Sequence, residues 1–579
     1  MDSRTAAHVL SEIAALLDLH AANRYKARAY RTAAKAILGL DADDLAPLYR
    51  SGELATVPGI GPATLSVVAD LIENGESRYL EQLRVNVPEG VLELMRIPGL
   101  SVAKIQQIFE ELGVSTLDEL EAAARDGRLA KVKGFGQKTA DKLLGSIAFA
   151  RRTSTQALLP RAVAEAGRLL ASVTRHPDVV AAEVAGSVRR RCDVVRDVDI
   201  VASVHGDPDV VAASFGRAPG VRDVVTTQGH AAIRYVDGAL LDLYCVPPDE
   251  FAVALWRATG STGHVEEMTI ALGAAGFTVV GNRVLDAAQR VVPLPDEAAL
   301  YALIGAEFPA PELRESRGEL AAATAHALPH LVTAADIRGV LHCHSSYSDG
   351  TASIAEMADA ARRLGWSYLG ISDHSESAFF AGGLSRDAVA RQHDEIDALN
   401  ATLHDFRILK GIEADILPTG QLDYDDATLE RFDFVIGSVH SRFRMTEAEM
   451  TTRILTALDD PRLTILGHPT GRLLLAREPY AVDIDAVIEK AAARGMALEL
   501  NADPRRLDLD WKRCLQAKRL GAVIEIGPDA NSPRGLENTV VGVDIARKAW
   551  LEPSDVLNAW SVDDVLAFAH RRRPVHVTQ

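Results

Sequence analysis

Apolar positions at Val9, Ile13, Leu16 and Leu17 recur at helical spacing, and the pattern predicts helices through about the first eighty residues. Three related turns follow: Val57-Pro58-Gly59-Ile60-Gly61, Ile97-Pro98-Gly99-Leu100-Ser101 and Val132-Lys133-Gly134-Phe135-Gly136, each leading into a further helical pattern. From Thr155 to Pro247 helical and strand patterns alternate, which predicts a mixed α/β unit. Pro309-Ala310-Pro311 marks a boundary, and the charged, Ala-rich stretch from Glu312 to His326 predicts a helical linker. Beyond it, short apolar runs that end in a histidine or an acid alternate with helical patterns, an order that gathers strand ends on one rim of a barrel.

Length and charge sharpen this picture. A chain of 579 residues has room for about four domains. A net charge of −18 argues against coating nucleic acid through bulk positive charge, so any DNA contact must be local. No apolar run reaches membrane-helix length and no signal-peptide order opens the chain, so a cytoplasmic protein without a membrane partner is expected. Cys192, Cys245, Cys343 and Cys514 are scattered without a Cys-x-x-Cys pair, which fits free thiols.

Two stretches carry the first chemistry. In Asp197-Val198-Asp199-Ile200-Val201, strand alternation points Asp197 and Asp199 to one face while Val198 and Ile200 pack behind. Adjacent carboxylates repel unless a cation sits between them, so the pair predicts a site for Mg²⁺ or Mn²⁺. Asp242, inside the apolar run Leu241 to Tyr244, offers a third ligand for a two-metal centre of phosphoryl transfer. Just ahead lies Gly186-Ser187-Val188-Arg189-Arg190-Arg191, a turn with free N–H groups, a hydroxyl and cationic forks suited to phosphate.

The repeated glycine turns carry the second. Gly59, Gly61, Gly99, Gly134 and Gly136 permit tight corners whose N–H groups, with the next helix N-terminus, face an anion. Ile60, Leu100 and Phe135 would plug the joints. This is the helix-hairpin-helix pattern, a sequence-independent grip on a DNA backbone. Ser101 stands where the other two copies have their second glycine.

The third is the histidine and acid series His342, His344, Asp349, His374, Glu413, His440, His468 and Asp529, whose members close short apolar runs or sit in the loops that follow them. Mixed imidazole and carboxylate ligands suit Zn²⁺, Mn²⁺ or Fe²⁺ better than Mg²⁺.

The Gly-Ser turn, the three aspartates and Thr259-Gly260-Ser261 resemble the palm signature of family X DNA polymerases, and residues 339–579 resemble the PHP (polymerase and histidinol phosphatase) domain. Together they resemble the bacterial family X polymerase with a C-terminal PHP domain. The resemblance implies a multidomain α and α/β chain: a helix-hairpin-helix region (1–88 and 89–154), a nucleotidyltransferase palm (155–250), a thumb (251–310), a linker (311–338) and a distorted seven-stranded (β/α) PHP barrel (339–579). It implies gap-filling synthesis from deoxynucleoside triphosphates on gapped or nicked DNA, 3′–5′ trimming by the PHP domain, and cutting beside abasic sites as a further expectation.

Residue by residue, the resemblance implies that Gly186, Ser187, Arg190, Thr259, Gly260 and Ser261 bind nucleotide, and that Asp197, Asp199 and Asp242 hold Mg²⁺ or Mn²⁺. It implies one PHP ion on His342, His344, Glu413 and Asp529, and a second on Glu413, His440 and His468. A third falls to Asp349, His374 and Asn531, up to three Mn²⁺ or Zn²⁺ in all, the third weakened because Asn531 offers only a carbonyl oxygen where the pattern has histidine. The chain departs from the polymerase pattern at Arg196, Arg257, Ala258 and Val265, and Val67 replaces the lysine of members that remove the sugar at a broken abasic site, so no lyase activity is expected. These departures leave an alternative, a DNA phosphoesterase whose palm mainly holds DNA, and behind it a non-catalytic binder of DNA ends.

Overall fold

The structure is a computed structural model covering the chain apart from residues 2, 20–23, 41, 43, 75–76, 85–93, 95–96, 98–99, 101, 154–155, 219, 236–237 and 573–579. It divides into two compact units, Met1–Thr155 and Gln156–Gln579.

The first unit is helical. Helices Ser3–Leu19 and Arg24–Leu40 pair through the apolar stripe of Leu10, Ile13, Leu17, Ala33 and Ile37, all buried in one core. Gly59 sits at φ 96°, and a Cβ there would lie 3.0 Å from the Thr32 side chain, so the corner accepts glycine for both conformation and space. Gly134 is likewise left-handed, at φ 89°. Ile60, Leu100 and Phe135 are buried at their respective corners. Gly61 accepts from and donates to the Thr64 hydroxyl at the start of helix Pro62–Asn74, and the Gly136 carbonyl opens helix Gln137–Thr153. Gly99 and Ser101 lie outside the described residues. Val67 is buried in the core of this unit.

The second unit contains two larger sheets. Five strands, β1 (Val179–Val184), β2 (Val198–Val204), β3 (Val221–Thr227), β4 (His230–Tyr235) and β5 (Leu240–Val246), lie in the order β1-β2-β5-β4-β3. Only β2 and β5 run parallel, and their register sets Asp199 directly opposite Asp242. Ile200, Ala202, Leu241 and Leu243 turn to the other face, where helix Leu159–Thr174 covers them.

Seven parallel strands form the barrel in sequence order: β6 (Gly339–Val340), β7 (Tyr368–Ile371), β8 (Arg407–Asp415), β9 (Phe434–Ser438), β10 (Ile465–Leu466), β11 (Ala497–Asn501) and β12 (Val523–Gly527). A parallel bridge between Cys343 and Ala530, just past β6 and β12, joins the two ends. Inside, the Phe434 ring fills the space that side chains at Gly370 and Gly411 on the two preceding strands would need. The segment from Glu312 to His326 is not the continuous helix its composition predicts. It has a 3₁₀ turn, Pro311–Leu313, and a short helix, Glu319–Thr324, because its charges are drawn inward: buried Arg314 pairs with Glu297, and Glu319 with His264 at 2.6 Å.

A Cβ at Gly411 would lie 2.1 Å from the Phe434 ring. Gly411→Ala is therefore expected to cost about 1–3 kcal/mol, read as a lower denaturation midpoint of the barrel, with partial recovery when combined with Phe434→Leu. An unchanged midpoint would contradict this packing.

Candidate metal centres and phosphate turn

On the five-stranded sheet, Asp199 lies in β2, Asp242 faces it from β5, and Asp197 is one residue ahead of β2. Burial, followed by the charges of Asp197 and Asp242, pushes the Asp199 carboxyl up to about 7. The three acids thus pay a mutual repulsion that a divalent cation would relieve. Arg196 lies 3.0 Å from Asp197, and the His230 imidazole, stacked on Tyr244, shares a 2.8 Å hydrogen bond with Asp242. Neither partner was evident from the motif.

Gly186 has φ 60°, and a Cβ on it would come within 1.8 Å of Asp199. The glycine therefore lets the turn Gly186–Arg189 close directly over the acids, with Ser187 in its first turn. Arg190 is held from two sides, donating from Nε to Glu315 at 2.9 Å and from Nη1 to the Thr259 carbonyl at 2.7 Å. Glu315 in turn accepts from Lys548, whose buried ammonium also donates to the Arg190 carbonyl at 2.9 Å. Lys548 belongs to the helix that follows β12, so the barrel anchors the turn. Alongside, Arg472 from the barrel reaches Asp193 at 3.0 Å.

Thr259 is buried, and its hydroxyl accepts from Arg189. Gly260 leaves space that His264 and Val265 occupy at 3.0 Å, and Ser261 caps helix Thr262–Ala274 through the His264 N–H. A cleft of about 300 Å³ beside the acids is lined by His230, Tyr244, Arg257 and Ala258, among others, and Arg257 donates to the Gly281 carbonyl.

The second centre sits on the C-terminal rim of the barrel. His342 and His344 follow β6, His374 follows β7, Glu413 lies near the end of β8, His440 follows β9, His468 follows β10 and Asp529 follows β12. Glu413 is the hub: its oxygens lie 3.0 Å from His468, 3.2 Å from His440, 3.4 Å from His342, 3.8 Å from His344 and 2.9 Å from His374. Ligand atoms converge in three groups, His342/His344/Asp529, His344/Asp349/His374 and His374/Glu413/His440. Asp349, the most exposed, stands 3.7 Å from His344 and 3.8 Å from His374. The backbone carbonyl of Asn531 accepts from the Thr351 N–H and hydroxyl.

Four atoms test whether these residues suit metal. His342 Nε2, His344 Nδ1, His374 Nδ1 and Glu413 Oε2 are buried with no hydrogen-bond partner, although His374 Nδ1 and Glu413 Oε2 are 2.9 Å apart. Buried polar atoms rarely go unpaired. Convergent imidazole and carboxylate donors fit transition-metal ions.

Supporting residues fix the ligands. Glu499 on β11 accepts from His342 Nδ1 at 2.6 Å and from the His468 N–H, Asn501 donates to Asp529 at 3.0 Å, and Asp415 pairs with His440 Nδ1 at 2.6 Å. Such partners orient a ligating imidazole and set its tautomer. The run Ala497-Leu498-Glu499-Leu500-Asn501 carried the signal in its alternation, two polar side chains on one face of a fully buried strand. Burial works to raise the Glu413 carboxyl, but His440, His374 and His342 outweigh it and hold it well below the usual range. Burial opposes charge on His440 too, yet Glu413 and Asp415 push it up to about 10, while burial and then Arg506 bring His468 down.

Residues 1–77 match the helix-hairpin-helix domain, residues 91–147 the SAM-like helix-hairpin-helix tandem, and residues 341–503 the PHP domain. The chain is 35% identical over 577 residues to the DNA polymerase/3′-5′ exonuclease PolX of Bacillus subtilis, covering 99% of this chain and 100% of that protein. It is also 30% identical to a probable phosphatase of Syntrophotalea carbinolica, over 38% of this chain and 90% of that protein, and 28% identical to one of Clostridium acetobutylicum, over 33% and 78%.

Burial lowers His342, His344 and His440, but the carboxylates around them outweigh it and raise all three, so they must lose protons to ligate. Metal affinity should therefore climb with pH through neutrality, about tenfold per unit for each proton released. Calorimetry of Mn²⁺ binding at about pH 7 in buffers of different ionisation enthalpy should report net proton release, and equal heats would contradict it.

Proposed function

The chain belongs to the PolX family of DNA polymerases with 3′–5′ exonuclease activity, and on that premise we propose that it fills short gaps in DNA and trims 3′ ends at a separate centre. The observation that supports this best is the pairing of two ligand clusters of different chemistry: carboxylates alone beside a phosphate turn, and imidazoles with carboxylates on a barrel rim. The family is metal-dependent in both chemistries. The similarity runs through both halves of the chain, which disfavours a phosphoesterase with an idle palm.

In this reading the palm spans 155–250, the thumb 251–310 and the PHP domain 339–579, after a helix-hairpin-helix region of 1–88 and 89–154 that grips the DNA backbone. Asp197, Asp199 and Asp242 hold Mg²⁺ or Mn²⁺, and Gly186, Ser187 and Arg190 receive the triphosphate, with Thr259, Gly260 and Ser261 shaping the sugar side. Divalent ions bound there would supply positive charge beside the primer hydroxyl and the pyrophosphate. The Arg190 guanidinium, fixed by Glu315 and the Thr259 carbonyl, enters the reaction preorganised, so less ordering accompanies nucleotide binding.

At the rim, His342, His344, Glu413 and Asp529 hold one Mn²⁺ or Zn²⁺, Glu413, His440 and His468 a second, and Asp349 and His374 a third, weakened at Asn531. Bound ions would polarise the terminal phosphodiester and activate water. Glu499 and Asp415 keep His342 and His440 in the ligating tautomer. The substrates are gapped or nicked DNA and deoxynucleoside triphosphates, in the cytoplasm. Among the described residues no helix is long and apolar enough to cross a membrane.

A 5′-labelled primer in a one-nucleotide gap, with Mn²⁺ and with or without nucleotides, tests the reading on a denaturing gel. Asp199→Ala should abolish extension and leave shortening, and His342→Ala the reverse. Shortening without any extension by the wild type would leave only the phosphoesterase. Because Lys548 anchors Glu315 and Arg190, Lys548→Met should raise the nucleotide KM about tenfold or more while 3′ trimming persists. Unchanged nucleotide kinetics would remove the barrel from polymerase function.

A further inference from the structure

Phe379 and Phe380 are 85% and 65% exposed, the former the most exposed of the large apolar side chains among the described residues. They form the 3₁₀ turn Phe379–Ala381 in the loop after β7. The Phe380 ring lies 6.3 Å from the His374 ring and 6.3 Å from the His440 ring, and Phe379 meets it edge-on at 6.2 Å. The pair therefore stands at the mouth of the rim centre.

The loop that presents them is built tightly. Ser375 bridges Leu384, and Gly383 has no room for a side chain, since a Cβ would lie 1.9 Å from the Ser375 carbonyl. The Ser377 N–H donates to Asp423 at 2.7 Å, and its hydroxyl donates to Asp415, the carboxylate that orients His440. The small apolar neighbours Ala378 and Ala381 are buried, whereas the two large ones face outward. An outward aromatic pair on a fixed loop spends apolar surface on solvent unless a ligand covers it.

We propose that Phe379 and Phe380 form a stacking platform for the unpaired base at a DNA 3′ end, placing the terminal phosphodiester at the rim centre. This rests on the exonuclease reading and adds to it the part of the substrate that is held. His342, His374, Glu413 and their neighbours are hard or borderline donors suited to ions, and a base needs a π-face instead. Every base presents one, so stacking grips any sequence and favours frayed or single-stranded termini over paired ones. Phe380, closest to the imidazoles, holds the terminal base, and Phe379 braces it. Both are positioning residues.

The test compares wild type, Phe380→Ala, Phe380→Trp and Phe379→Ala on single-stranded oligonucleotides ending in a normal or a baseless residue, in Mn²⁺. Phe380→Ala should lower kcat/KM on the normal end about 5- to 100-fold, mainly through KM, the range expected for loss of one base stack. Phe380→Trp should restore it, and the baseless end and bis(p-nitrophenyl) phosphate should be cut equally by both. The emission of 2-aminopurine at the 3′ terminus, read without metal, should change with wild type and not with Phe380→Ala. Equal losses on normal and baseless ends, or full activity and an unaltered 2-aminopurine response in Phe380→Ala, would overturn the platform. A wild type that cleaves bis(p-nitrophenyl) phosphate but no DNA end would instead refute the exonuclease reading, while the 2-aminopurine response would still decide whether the aromatic pair holds a base.

Discussion

Burying charged ligands beside one another is unfavourable unless cations join them, and both centres are arranged around that constraint. Glu413 is enclosed by five imidazoles that approach its two oxygens, and the facing atoms of His342 and His374 have no hydrogen bond to satisfy them. Asp199 sits between Asp197 and Asp242 with its proton affinity raised. A scaffold that tolerates such clusters must over-determine them. The closed barrel does so by placing each ligand at a strand end, and the parallel pairing of β2 with β5 does so by register.

The two centres are also physically joined. Lys548 and Glu315 tie the helix after β12 to Arg190, and Arg472 spans from the barrel loops to Asp193 while its Nε donates to the Arg506 carbonyl. Arg506 then lies 3.4 Å from Asp529. Charge-assisted contacts of this type hold geometry more than they add net stability when buried. The arrangement makes the barrel a support for the Gly186–Arg189 turn as well as the body that carries the rim cluster.

That these side chains cluster was largely legible in the sequence because the logic is local. A histidine after a short apolar run is placed on the rim by the strand alone, and Asp199 faces the same way as Asp197 by alternation. The tight turn at Gly186 was readable from its glycine, but the reason for that glycine, the carboxylate of Asp199 within Cβ distance, lies on β2. Asp415 and His230 were missed for the same cause, since each acts through a partner remote in sequence, whereas Glu499 and Asn501 show in the alternation of a buried strand but not which residues they hold. Composition misled at the segment from Glu312 to His326, where charged residues suggested a solvated helix. Arg314 and Glu319 are instead buried because complementary groups await them.

Anomalous diffraction from crystals soaked in Mn²⁺ locates ions without reference to activity. Density shared by Asp197, Asp199 and Asp242 is expected, with separate density bridged by Glu413 among His342, His344, His440 and His468. Crystals that leave Glu413 hydrogen-bonded to protonated imidazoles, with no ion at saturating Mn²⁺, would contradict that expectation.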